Sequence, residues 1–186
     1  MKRWKLKNEF GFTLIEIIAV LVILGIMAVG LSSAIVFGVQ NFIFARDADQ
    51  ISQRAQLALA RINRELVDLT SVNSANTNNS SIQYTLSTGG EYRIQFSGNQ
   101  ITLQGINPAI PSQTLISGVV TNNGGNNFLT YYQADGTTIW TPGNPINQLA
   151  QTRVVIVLSF QQNEQLTFQT TVNPRRTAVP NVPRLN

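Results

Sequence analysis

Gly11-Phe12-Thr13-Leu14-Ile15-Glu16 opens an apolar run that continues to Val39, with only Ser32 and Ser33 interrupting it beyond the glutamate. The twenty-eight residues from Phe12 to Val39 would span about 42 Å as a helix, enough to cross a hydrocarbon core of roughly 30 Å. A buried helix of a soluble domain rarely needs that length. The residues before the run read as a leader, and those after it as cargo.

Glu16 complicates a simple membrane anchor, because an unpaired carboxylate in hydrocarbon costs several kcal/mol. Lys2, Arg3, Lys5 and Lys7 precede Gly11 and would hold the N-terminus on the cytoplasmic side by the positive-inside tendency. A cut after Gly11 would create an α-ammonium on Phe12, which is the right kind of partner for Glu16. The pair could form within one helix, four residues apart, or in trans between staggered neighbouring helices. The competing reading is an ordinary single-pass anchor with an accidental glutamate. A conventional secretory signal fits worse: the apolar run is too long and no small-x-small exit follows a short core.

Short basic leader, Gly11 before the cut, Phe12, Thr13-Leu14-Ile15 and then Glu16 together resemble the class III signal of type IV prepilins and of type II secretion pseudopilins. That resemblance implies cleavage after Gly11 by the membrane aspartyl prepilin peptidase and N-methylation of the new first residue, Phe12. It implies that Glu16 neutralises the N-terminus of a neighbouring subunit during assembly. It also implies a single-pass inner-membrane precursor, N-terminus cytoplasmic and head periplasmic, that moves into a pilus at the cell surface. Its partners would be other pilin subunits, contacted through N-terminal helices, and the pilus assembly machinery. Many pilins carry a proline at the position that is Ser33 here; Gly25, Gly30, Ser32, Ser33 and Gly38 would permit either local unwinding or close helix approach.

A narrower resemblance rests on Gly25 to Ser33, Phe37-Gly38 and Ala58-Leu59-Ala60-Arg61-Ile62-Asn63-Arg64-Glu65-Leu66. These are similar to a minor pilin of mannose-sensitive haemagglutinin (MSHA, MshO-like) pili, and Arg61, Arg64, Glu65 and Leu66 also match a stretch of the PilW and pseudopilin J groups. It covers residues 1–70 and little of the head. The implied function is a low-abundance subunit for initiation or assembly of a type IV pilus. A minor pseudopilin of a type II secretion system, or a tip adhesin whose head binds a surface or glycan, are the alternatives.

Removing residues 1–11 from 186 leaves 175, enough for one modest core beyond the apolar run. The precursor has 13 Lys+Arg and 9 Asp+Glu; subtracting the leader's four basic residues and Glu9 leaves 9 against 8, or +1. No broad basic field survives for nucleic acid, and Arg175, Arg176 and Arg184 read as a solvated tail. Cysteine and histidine are absent, which excludes disulfides and thiolate chemistry. Without a phosphate loop or a carboxylate cluster at metal spacing, the expectation is a non-enzyme with no cofactor and no metal.

After the membrane half (12–39), Ala48, Ile51, Ala55, Ala58, Ile62, Leu66 and Leu69 recur at helical spacing, so the helix is predicted to continue through an amphipathic half (40–70) to about Thr70. Asp47, Asp49, Gln53, Gln56, Arg61, Arg64, Glu65 and Asp68 form the other, solvated or subunit-facing side, with Arg61–Glu65 and Arg64–Asp68 at i,i+4 spacing. Residues 71–80 read as a polar linker, and residues 81–186 as a β-rich head.

There the period changes to two. Ile82 to Leu86, Tyr92 to Phe96 and Ile101 to Leu103 predict a three-strand meander. Further strands are predicted at Thr114–Thr121, Phe128–Gln133, Thr137–Trp140, Arg153–Phe160 and Gln165–Val172. Ala134-Asp135-Gly136 would be a tight hairpin turn and Gln161 to Glu164 another. Arg153 to Leu158, apolar on both faces, is placed centrally with the helix stripe on one side. Asn122–Asn127 and Pro142–Asn147 read as loops, the second able to present Trp140 for sugar binding if that ring is not in the core. The fold class is α+β: a long N-terminal helix packed on a mainly antiparallel sheet, the pilin fold by resemblance.

Overall fold

The computed structural model describes residues 11–120, 127–160 and 164–175. Helix α1 runs Leu14–Val67, followed by strands β1 (Leu69–Val72), β2 (Ser81–Leu86), β3 (Glu91–Ser97), β4 (Gln100–Asn107), β5 (Ile110–Ser117), β6 (Leu129–Tyr132), β7 (Gln151–Ser159) and β8 (Gln165–Val172). The fold is α+β, as the pattern switch from 3.6 to 2 requires. Contacts divide the chain into two compact units, parting after Asp47.

The first unit is helical from Leu14. Its apolar side chains from Phe12 to Phe44 face outward along its whole length, and α1 is long and apolar enough to cross a membrane. The helix passes through Gly25, Gly30 and Gly38 unbroken. Ser33 donates its hydroxyl to the Val29 carbonyl at 3.2 Å, the back-bonding that lets serine sit inside a helix.

The second unit holds the core. Ala55, Ala58, Ile62 and Leu66 are buried, with Leu59 beside them, so the predicted stripe does face inward. The two alanines let the backbone approach closely, while full burial of Ile62 and Leu66 stabilises by about 1.5–3 kcal/mol each. The same cluster contains Ile82, Tyr84, Ile94, Ile101 and Ile116 from one sheet and Leu129, Tyr131, Val154, Ile156 and Leu158 from another.

All ladders are antiparallel, but they form two sheets: five strands in the order β1-β2-β3-β4-β5 and three in the order β6-β7-β8. The predicted meander is therefore the middle of a larger sheet. The helix stops at Val67 rather than Thr70, and β1 then pairs with β2 from Leu69, taking up Ser71 and Val72, which polar composition alone assigns to a linker. Leu69 is fully buried, so an extended chain that keeps it in the core wins over one more turn of helix. Asp68 has left the helical path and its carbonyl accepts from the Ser87 N–H, which accounts for the open Arg64–Asp68 pair; Arg61–Glu65 closes at 2.8 Å.

Strand β5 begins earlier than predicted, because β4 runs to Asn107 and the chain reverses through Pro108 and Ala109 straight into pairing at Ile110. Thr137–Trp140 is not a strand: Asp135 accepts from the amides of Thr137 and Thr138, and only Ile139 makes a β-bridge, to Tyr132. Strand β7 is central in its sheet, as its two apolar faces demand. Of the predicted loops and tail, residues 122–126, 161–163, Arg176 and Arg184 lie outside the described residues.

Candidate functional site

Thr13-x-x-Glu16 has the form of a helix capping box. The Glu16 amide donates to the Thr13 carbonyl at 3.1 Å and approaches the Thr13 hydroxyl at 3.4 Å, so Thr13 fixes where α1 begins. Gly11 and Phe12 therefore lie just outside the first turn and Glu16 inside it. A negative side chain in a first turn is favoured by the helix dipole. Phe12, Glu16, Ile17, Val20 and Leu21 line one concave strip, which sets the carboxylate on the same face as the first apolar ring.

Gly11 is exposed, and a Cβ built on it would meet nothing within 4 Å. Its φ lies outside the left-handed range in which glycine is needed. Nothing in the chain's own fold thus requires glycine there. The same open space surrounds Gly25, Gly30 and Gly38, in the part of α1 whose apolar side chains are exposed.

A second polar cluster was not legible in the sequence. Glu65, assigned to the solvated or subunit-facing side, is buried at 8% exposure. One carboxylate oxygen pairs with the Arg61 guanidinium at 2.8 Å, and the other accepts from the Tyr84 hydroxyl at 3.3 Å. Burial, and then the neighbouring Glu65 charge, push the Tyr84 phenol up, so it stays protonated and able to donate. Its ring stacks on Tyr92 with centroids 6.2 Å apart. The cluster locks α1 to β2; its carboxylate and hydroxyl are sealed from substrate, so its role is architectural.

Trp140 is buried at 2% exposure. It packs edge-on against Tyr131, centroids 5.9 Å apart, and donates its indole N–H to the Pro145 carbonyl at 3.1 Å. The loop after it holds the indole in the core instead of displaying it, which removes Trp140 as a sugar platform. Among the described residues, no group of three or more His, Cys, Asp or Glu side chains could hold a metal ion.

The prokaryotic N-terminal methylation motif, as a family model, matches residues 6–32. That stretch contains Gly11, Phe12, Glu16 and the first half of the apolar run, and it carries the signal of type IV pilin-like precursors. Neither the curated proteins nor the solved structures contain a match to this chain.

Proposed function

From a chain that carries a pilin-type methylation signal at its N-terminus, we propose a low-abundance subunit that starts or extends a type IV pilus of the MSHA-like kind. In this reading the prepilin peptidase cuts between Gly11 and Phe12 and methylates the Phe12 nitrogen. Residues 1–11 are the leader, 12–39 the part that lies first in the inner membrane and then among other pilin helices, 40–67 the amphipathic continuation of α1, 73–80 a connector after strand β1, and 81–186 the bulk of the periplasmic and later surface-exposed head. The protein acts by assembly, not catalysis.

The observation that carries the reading is Gly11. Its surroundings are open and its backbone ordinary, so the small residue serves something outside this chain, as an extended peptide threading a protease cleft would. The outward-facing apolar helix supports the second half of the argument: first lipid and then other helices can cover it.

Glu16 gives assembly its register. Before cleavage Phe12 offers only a peptide amide; after cleavage it offers an ammonium. In a low-dielectric helix bundle that ammonium, on a neighbouring subunit, attracts the Glu16 carboxylate, and breaking a buried pair of this type typically costs about 3–5 kcal/mol. Glu16→Ala is therefore inserted and cleaved but fails to join filaments. Processed protein in the membrane, co-purification with other pilins and surface pili are compared between variant and wild type. Normal co-purification and normal piliation by the variant would refute pairing in trans.

A further inference from the structure

Sheet edges expose unpaired backbone groups, and proteins blunt them with short strands, proline, bulges, charge or a covering segment. Of the four sheet edges among the described residues, three are treated in this way. Strand β1 is four residues long and bulged between Leu69 and Ser71. Strand β5 carries Pro111, and its pairing with β4 shifts twice. The outer side of β6 is covered: the Trp140 N–H donates to the Tyr131 carbonyl, and the Leu129 N–H to the Asn79 carbonyl.

Among the described residues, strand β8 has none of these devices. Gln-Leu-Thr-Phe-Gln-Thr-Thr-Val contains no charge and no proline, and it pairs with β7 through eight successive residues without a bulge. The chain after residue 11 has no lysine at all. The Val155 N–H donates away from β8, to Phe128, and the Val157 carbonyl likewise accepts from Val120. Their partners Gln169 and Thr167 must therefore turn their own N–H and C=O groups outward, and by alternation so do Gln165 and Thr171. All four side chains are exposed.

We propose that this edge pairs antiparallel with the β8 edge of a second copy of the chain, about an axis through Phe168. The strand is its own complement in that register. Gln165 meets the second copy's Thr171, Thr167 meets its Gln169, and every outward peptide group from Gln165 to Thr171 is satisfied. On the other face Leu166 meets Thr170, and the two Phe168 rings meet each other. Because no position carries charge, the strand needs no charged partner, and pairing with itself leaves no mismatched group. This inference is independent of any role in a pilus.

The absence of cysteine makes the test clean. Thr167→Cys and Gln169→Cys chains, full length in detergent micelles, are oxidised mildly, alone and mixed. The paired positions lie about 5.5 Å apart between Cα atoms, within disulfide reach. The expected result is a mixed dimer several-fold more abundant than either self-dimer, and no dimer above background from Thr114→Cys on β5. In sedimentation velocity the wild type is a dimer, and Thr167→Lys/Gln169→Lys, both at exposed positions, is a monomer. A monomeric wild type, a dimer that survives the lysine pair, equal cross-linking at Thr114, or cross-linking in cells only to a different protein would each overturn the proposal.

Discussion

Removing the Tyr84 hydroxyl tests whether the Glu65 cluster fastens the helix to the five-stranded sheet. Tyr84→Phe keeps the ring, its burial and its stacking on Tyr92, and takes away one hydrogen bond to a buried carboxylate. A hydrogen bond to a charged group contributes about 1.5–3 kcal/mol. The 3.3 Å length and the remaining Arg61 contact on the other oxygen place the loss at the lower end, about 1.5 kcal/mol. For a domain of this size that lowers the melting midpoint by about 3–6 °C. The assay is urea unfolding of a fragment beginning at about residue 40, followed by near-ultraviolet circular dichroism, in wild type, Tyr84→Phe, Glu65→Leu and the double variant. If the bond is what matters, Tyr84→Phe costs almost nothing once Glu65 is already leucine. An equal cost in both backgrounds, or a cost under about 0.5 kcal/mol in the wild type, would show that the cluster does not couple helix to sheet.

Gly105→Ala should destabilise the head by about 1–3 kcal/mol, because its Cβ would sit 2.8 Å from both the Ile110 side chain and the Pro108 carbonyl; a wild-type unfolding midpoint for the variant would contradict this. Ile62→Ala should cost about 2–5 kcal/mol, since the side chain is fully buried among both sheets, read in the same urea titration. The Asp135 carboxyl is held down from 3.8 to about 2, first by the Thr138 hydroxyl and then by the Thr138 and Thr137 amides. Its folded value is depressed, so its contribution is present above about pH 4 and lost as pH falls toward 2. Asp135→Asn should flatten that part of the stability-versus-pH curve, and an unchanged slope between pH 4 and 2 would contradict the assignment.

How much could be read in advance depended on how local the deciding physics was. The helix stripe through Ala55, Ala58, Ile62 and Leu66 and the alternation in β2, β3 and β8 are carried by neighbours in sequence, and they appear where their periods place them. Strand β1 was hidden because Ser71 and Val72 sit in a polar run, and only the burial of Leu69 against distant strands makes the segment extended. Thr137–Trp140 has strand-forming residues, yet the Asp135 side chain captures the amides a ladder would use. The burial of Glu65 depends on a hydroxyl nineteen positions away, and no helical-wheel argument contains it. The N-terminal site is different in kind. Gly11, Phe12 and Glu16 lie within the matched methylation motif and, in the proposed reading, form a linear signal for another protein, so the sequence holds it almost whole, while the fold adds that Thr13 starts the helix and that Gly11 is free of internal constraint.

The central claim is that the chain is processed at Gly11 and enters assembly with a modified Phe12. Intact-mass measurement and N-terminal sequencing of the protein, recovered from membranes of cells that contain a prepilin peptidase, test it most directly. The account predicts a chain that begins at Phe12 and is one methylene heavier than the unmodified peptide, with Gly11→Ala accumulating as precursor. A wild-type chain that retains residues 1–11, is cut elsewhere, or begins with an unmethylated Phe12 would contradict it.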